Sequence, residues 1–246
     1  MIAQSKAPRI PYPGAKGRLA NVLVEMMPTN GNLYVEPLVG RGNVYFAAAL
    51  KLNFKRWHIN DLSTAPFFNA LLKTGGNIKV PDRTKEEFEK QRLLFGRGNT
   101  KAILLEPYLT FSGGGYKKAG FGGLRSANAT GYANTLKRCA NIMRVTQPTI
   151  TMLDWKNLGL EHLTSEDFVI FDPPYFGADV RAYSNKFDHS GMVKLLKNAK
   201  FKWMLTEYRQ DIYVAEFGEP KYKKVVQLAC DGRGDKQRTE CVWTNY

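Results

Sequence analysis

Asp172-Pro173-Pro174-Tyr175 directly follows the apolar run Phe168-Val169-Ile170-Phe171. Two prolines in succession fix the backbone and remove two N–H donors, so this stretch offers a carboxylate and carbonyl oxygens, all of them acceptors. Such a group suits a substrate that presents two N–H donors on one nitrogen. An exocyclic amino group on a nucleobase is such a substrate: the Asp172 carboxylate and the Pro173 carbonyl would each accept one hydrogen bond, and Tyr175 would stack on the ring. The plainer reading is a Pro-Pro turn after a strand. The apolar run before it and the aromatic after it favour the chemical one.

Three more acidic residues stand where apolar runs stop. Leu33-Tyr34-Val35 leads into Glu36-Pro37, Arg56-Trp57-His58-Ile59 into Asn60-Asp61, and Ile150-Thr151-Met152-Leu153 into Asp154. In an open α/β sheet, ligands bind beyond the carboxyl ends of the strands, so these four acids would line one edge. Any one of them could equally be a turn residue or a helix cap. Gly40-Arg41-Gly42 permits close backbone approach to a ligand, but it is not a GxGxxG fingerprint, and Gly14-Ala15-Lys16-Gly17 is not a Walker loop.

The elements that must position these groups alternate. Helices are predicted over Val44–Leu52, Ala65–Lys73 and Ser190 to about Lys200, the last capped by Asp188 or Ser190. Lys202–Thr206 is a further strand, ending at Glu207. A βαβα start implies parallel strands. Val225–Leu228 and Thr239–Thr244 flank Asp231-Gly232-Arg233-Gly234-Asp235, a hairpin signal that makes at least one terminal strand antiparallel. Between these halves, 75–149 is basic and glycine-interrupted, and reads as an inserted module with one helix near Lys85–Leu94 and exposed basic loops. The expected organisation is therefore one domain, 1–74 with 150–246, carrying an insertion.

Thirty-six Lys and Arg against 22 Asp and Glu give a net charge of +14 over 246 residues, the balance expected of a protein that meets a polyanion. Lys117, Lys118, Arg125, Arg138 and Arg144 are candidate phosphate contacts, although each alone is equally a solvated surface charge. Cys139, Cys230 and Cys241 lack CxxC or Cys/His spacing, which argues against a disulfide framework or a structural zinc site. No apolar run approaches the roughly 20 residues that cross a bilayer, and the first 16 residues lack a signal-peptide core. A soluble cytoplasmic protein with no membrane or metal partner is expected.

In order and wording these segments resemble the Dam-type, alpha-group DNA adenine methyltransferases over nearly the whole chain. Pro11-Tyr12-Pro13-Gly14-Ala15-Lys16-Gly17 is similar to that family's N-terminal segment, whose aromatic and lysine lie beside the cofactor, here Tyr12 and Lys16. Val35-Glu36-Pro37-Leu38-Val39-Gly40-Arg41-Gly42 resembles its main cofactor loop, Asn60-Asp61-Leu62 its ribose-binding turn, and Asp154 with Trp155 its adenine-reading pair. Arg238 to Tyr246 is similar to its terminal strand. Leu38 stands where the family usually has an aromatic. Gly120 to Arg125, with Gly131-Tyr132-Ala133-Asn134, resembles the target-reading segment loosely.

The resemblance implies a Rossmann-like S-adenosylmethionine-dependent methyltransferase sheet with a helical or hairpin target-recognition insertion. It also implies adenine-N6 methylation of double-stranded DNA, with base flipping into the Asp172–Tyr175 pocket. The cofactor-side residues would be Tyr12, Lys16, Glu36, Pro37, Leu38, Gly40, Gly42, Asp61, Asp154 and Trp155; Lys117, Lys118, Arg125, Asn134 and Arg138 would meet DNA. A stand-alone bacterial or phage enzyme follows, a monomer or a dimer on DNA. Cytosine-N4 or RNA adenine methylation, and an inactive DNA-binding relative, are the alternatives. Protein-glutamine methylation fits less well, because enzymes of that kind resemble Asn-Pro-Pro-Tyr.

Overall fold

The structure, a computed structural model, describes residues 6–17, 19–123, 128–176, 187–228 and 236–246. Seven strands form one sheet: β1 (Asn30–Glu36), β2 (Asn53–Asn60), β3 (Thr149–Thr151), β4 (Phe168–Phe171), β5 (Lys202–Tyr208), β6 (Tyr222–Leu228) and β7 (Lys236–Thr244), in the order β3-β2-β1-β4-β5-β7-β6. The five from β3 to β5 in that order run parallel, and β7 lies antiparallel between β5 and β6. The expected mostly parallel α/β sheet with an antiparallel terminal strand is present. All four residues of β4 are buried, as a central parallel strand requires. Strand order reverses between β1 and β4, which opens a crevice above their carboxyl ends.

Eight α-helices accompany the sheet among the described residues: α1 (Ala20–Met26), α2 (Asn43–Lys51), α3 (Ala65–Thr74), α4 (Lys85–Gly96), α5 (Thr100–Leu109), α6 (Ala129–Thr146), α7 (His189–Lys197) and α8 (Asp211–Phe217). Asp188 caps α7 by accepting from the Gly191 N–H at 2.8 Å. The stretch 75–149 differs from the expected single helix with basic loops: its described residues hold three α-helices and a short 3-10 turn at Phe111–Gly113. Asn99 and Asn128 cap α5 and α6 through the Ala102 and Gly131 amides at 3.1 and 2.7 Å. Tyr132, Leu136, Cys139, Ala140 and Met143 form a buried stripe on α6 at helical spacing. All of these but Ala140 join Leu104, Leu105 and Leu109 of α5 in the same apolar cluster as Phe46, Phe67, Phe68 and Leu71 of α2 and α3, so these helices complete the main core.

Gly42 ends the turn before α2 with φ +77°, and a β-carbon there would lie 3.0 Å from both Phe46 and Phe68. Left-handed backbone costs a side-chain residue about 1–2 kcal/mol, and overpacking adds about 1–3. Gly42→Ala should therefore lower stability by about 2–5 kcal/mol, read as a reduced urea midpoint at unchanged slope.

Candidate active site

A cleft of about 1800 Å³ opens at the carboxyl edge of the parallel strands. Its wall includes Tyr12, Lys16, Glu36, Leu38, Gly40, Asp61, Asp154, Trp155 and Asp172 to Tyr175, with Lys117 and Lys118 at one side. Four of the residues expected to take part are elsewhere. Pro37 is buried with its carbonyl accepting from Asn60, and Gly42 packs beneath the turn. Asn134 is exposed on α6, and Arg138 donates to the Lys6 carbonyl. Arg125 lies outside the described residues, as do Cys230 and the Asp231–Asp235 hairpin turn.

The strand ends are joined by Asn60, which the sequence marks only as the end of a run. Asn60, 1% exposed, donates to the carbonyls of Pro37 and Leu153 at 2.8 and 2.9 Å and accepts from the Leu153 amide and Thr151 hydroxyl at 2.9 and 2.8 Å. One side chain thereby fixes the exits of β1, β2 and β3 relative to each other. Next to it, Asp61 accepts from the amides of Gly40, Ser63 and Thr64 at 3.1, 2.8 and 3.0 Å. A carboxylate has about four acceptor positions, so Asp61 retains capacity for a hydroxyl. Gly40, at φ +53°, would bring a β-carbon to 3.1 Å from the Tyr12 ring, so glycine is what lets that ring close over the turn. Asp154 accepts from the Lys156 amide at 3.0 Å, and Trp155 is a core residue, edge-on to Phe171 at 5.7 Å.

The N-terminal segment reaches the cleft because Asn43 of α2 binds both the N–H and the C=O of Ile10, at 2.8 and 2.9 Å. Arg41 points away from the turn into a buried ion pair with Glu106 of α5, its guanidinium 4.6 Å above Phe67. Removing one partner of such a pair strands the other charge. Glu106→Ala should cost about 3–5 kcal/mol, whereas the double replacement by apolar residues of similar volume should cost much less; a double-mutant unfolding cycle reads the difference.

Asp172 sits where β4 ends, and its Oδ1 accepts from the Thr206 hydroxyl at 2.7 Å and pairs with Lys16 Nζ at 2.9 Å. Lys16 also donates to the Gly14 carbonyl at 3.0 Å and lies 4.3 Å above the Tyr175 ring. The Tyr175 ring meets Tyr208 edge-on at 4.4 Å, and its hydroxyl donates to Glu240 at 3.5 Å. Behind the loop, fully buried Glu207 accepts from the amides of Phe176 and Tyr208 at 2.9 and 2.6 Å, which ties the end of the loop to β5.

Burial pushes the Glu207 carboxyl up to about 8; the two amide hydrogen bonds and the Lys16 charge oppose this, and the Asp172 charge adds to it. Glu36 is likewise raised to about 8, by burial first, with the Tyr34 hydrogen bond opposing and Asp172 adding. Glu240 is raised too, chiefly by burial. Thr206, Glu207, Tyr208 and Glu240 were not among the expected site residues. The signal available was positional: the register Phe171↔Leu205 puts Thr206 beside Asp172.

Among the described residues no cluster of three or more His, Cys, Asp or Glu is arranged to hold a metal ion, and no helix is long and apolar enough to cross a membrane.

No protein-family model and no curated protein matches the chain. Among solved structures, it is similar to a Pyrococcus horikoshii protein assigned as an RNA methyltransferase, at 9% identity over 96% of this chain and 85% of that one, TM-score 0.44. A Listeria monocytogenes protein whose predicted activity is N6-adenine-specific DNA methylation matches at 14% identity over 100% of this chain and 53% of that one, TM-score 0.37. The methyltransferase domain of METTL16 matches at 11% identity, over 94% and 66%, TM-score 0.35. Likenesses this distant carry no argument about chemistry, which has to come from the site.

Proposed function

We propose that this chain transfers a methyl group from S-adenosylmethionine to the exocyclic amino group of adenine in double-stranded DNA. The observation that supports this most is the acceptor-only Asp172-Pro173-Pro174 turn, held at the end of a buried strand with Tyr175 beside it, in the same cleft as Asp61 and Asp154. The residues present fit the cofactor. Asp61 has acceptor capacity for ribose hydroxyls, Asp154 would accept from the cofactor's adenine, and Leu38, Gly40 and Tyr12 line the same cleft. Bound there, S-adenosylmethionine would supply an electrophilic methyl group.

The protein's own part is positioning and electrostatics. An aromatic amino group is a poor nucleophile because its lone pair is shared with the ring. Asp172 and the Pro173 carbonyl would orient its two N–H bonds and stabilise the positive charge that develops on nitrogen. A carboxylate is too weak a base to deprotonate the amino group beforehand, so Asp172 acts as a cradle. The Lys16 ammonium lies 4.3 Å above the Tyr175 ring, beside the Asp172 carboxylate. Flipping an adenine out of a duplex costs a few kcal/mol, which phosphate contacts from Lys117, Lys118 and Arg125 would help offset.

Purified protein incubated with methyl-labelled S-adenosylmethionine and unmethylated duplex DNA should yield labelled N6-methyldeoxyadenosine on nucleoside analysis. Label in cytosine, or only when RNA is supplied, would favour the alternative substrates; cofactor binding without transfer to any nucleic acid would sink the proposal.

A further inference from the structure

Lys16 is buried to an extent unusual for lysine, at 7% exposure, and its ammonium has three partners: Asp172 Oδ1, the Gly14 carbonyl and the face of Tyr175. The carboxyls of Glu207 and Glu240 stand close enough for its charge to act on both, and Glu36 is near enough to feel Asp172. Asp172 thus sits in acidic surroundings, and Lys16 is the cation paired with it among the described residues. Lys16 and Thr206 address the same oxygen of Asp172, at 2.9 and 2.7 Å. Two donors use both lone pairs of Oδ1 and fix the carboxylate plane, which leaves Oδ2 to accept from a substrate.

We infer that Lys16 is a positioning residue for transfer to the amino group: together with Thr206 it takes up Oδ1 of Asp172 and thereby reserves Oδ2 for the incoming N–H. This rests on the reading of the site as an amino-group cradle. It assigns Lys16 a role distinct from holding the cofactor, and the two are separable. If Lys16 served mainly to hold the cofactor, its replacement should weaken cofactor binding. As a positioning residue, its replacement should lower the saturated rate while leaving cofactor affinity close to wild type.

The test compares wild type with Lys16→Met, Lys16→Arg and Thr206→Val. Readouts are kcat and KM, cofactor affinity by calorimetry, and thermal unfolding. Lys16→Met should reduce kcat by roughly 10²-fold at neutral pH, the size of effect seen when one preorganised electrostatic group is removed. Cofactor affinity should stay within about threefold. Lys16→Arg, which keeps the charge, should restore part of kcat. Thr206→Val should lower kcat by roughly tenfold, the worth of one hydrogen bond to a charged group, with cofactor affinity unchanged. If Lys16→Met does not fold, Lys16→Gln takes its place with the same readouts. The inference is overturned if the neutral variant keeps wild-type kcat and loses only cofactor affinity, or if kcat falls with no recovery in Lys16→Arg. Absence of transfer by the wild-type protein would instead overturn the underlying reading and this inference with it.

Discussion

Asp172→Ala should lower single-turnover methyl transfer about 10²–10³-fold or more, with the fold and cofactor affinity close to wild type. The side chain is 25% exposed at the end of β4, so its removal leaves no large cavity, although it takes the ion-pair partner from buried Lys16. Thr206 can donate to the Phe171 carbonyl, 3.5 Å away, and Lys16 keeps the Gly14 carbonyl and the face of Tyr175 as partners. What disappears is the carboxylate aimed at the amino-group position. Asp172→Asn is the informative companion. It preserves volume and one acceptor oxygen but brings an NH₂ that repels the substrate's own donors, so it should be nearly as impaired as alanine. A rate within threefold of wild type for either variant contradicts the cradle.

The second large effect concerns pH and stability. Glu36 and Glu207 titrate near 8 in the folded protein, against about 4.5 in the unfolded chain. Between those limits the native state holds protons that the unfolded state has released. Stability from this pair is therefore fully present below about pH 4.5 and is lost as pH rises toward 8, with a slope of roughly 1 kcal/mol per pH unit for each group. Glu207→Gln keeps the shape but removes the titration. It should unfold with a flatter profile than wild type between pH 5 and 8, its relative stability improving as pH rises. Asp172 contributes to both shifts, so Asp172→Ala should bring both titrations down and flatten the same window. Chemical denaturation across this range checks it, and parallel profiles for wild type and Glu207→Gln would show that burial of the protonated carboxyl has been misjudged.

Much of the site could be read from the chain because its residues punctuate apolar runs. Glu36, Asp61, Asp154 and Asp172 each follow such a run, and a parallel sheet brings run ends to one edge whatever the intervening length. The partners that hold Asp172 follow no such rule. Thr206 lies 34 positions downstream and Glu240 is 65 from Tyr175; Thr206 reaches the loop through the pairing of β5 with β4, and Glu240 through β7 entering between β5 and β6. The helices of 75–149 were harder for a different reason. Gly131, Asn134 and Thr135 lower the helix propensity at the start of α6, and Pro107 interrupts the pattern of α5, so tertiary packing against α2 and α3 outweighs local preference there. Arg138 of α6 donates to the Lys6 carbonyl.

The central claim is that an adenine amino group is methylated in the Asp172–Tyr175 cradle. Its most direct test is nucleoside analysis of DNA from a methylation-free host expressing the wild-type chain or Asp172→Ala at matched levels. The account predicts N6-methyladenine in the first and background in the second; unmodified adenine with wild-type protein that is folded and binds S-adenosylmethionine would contradict it.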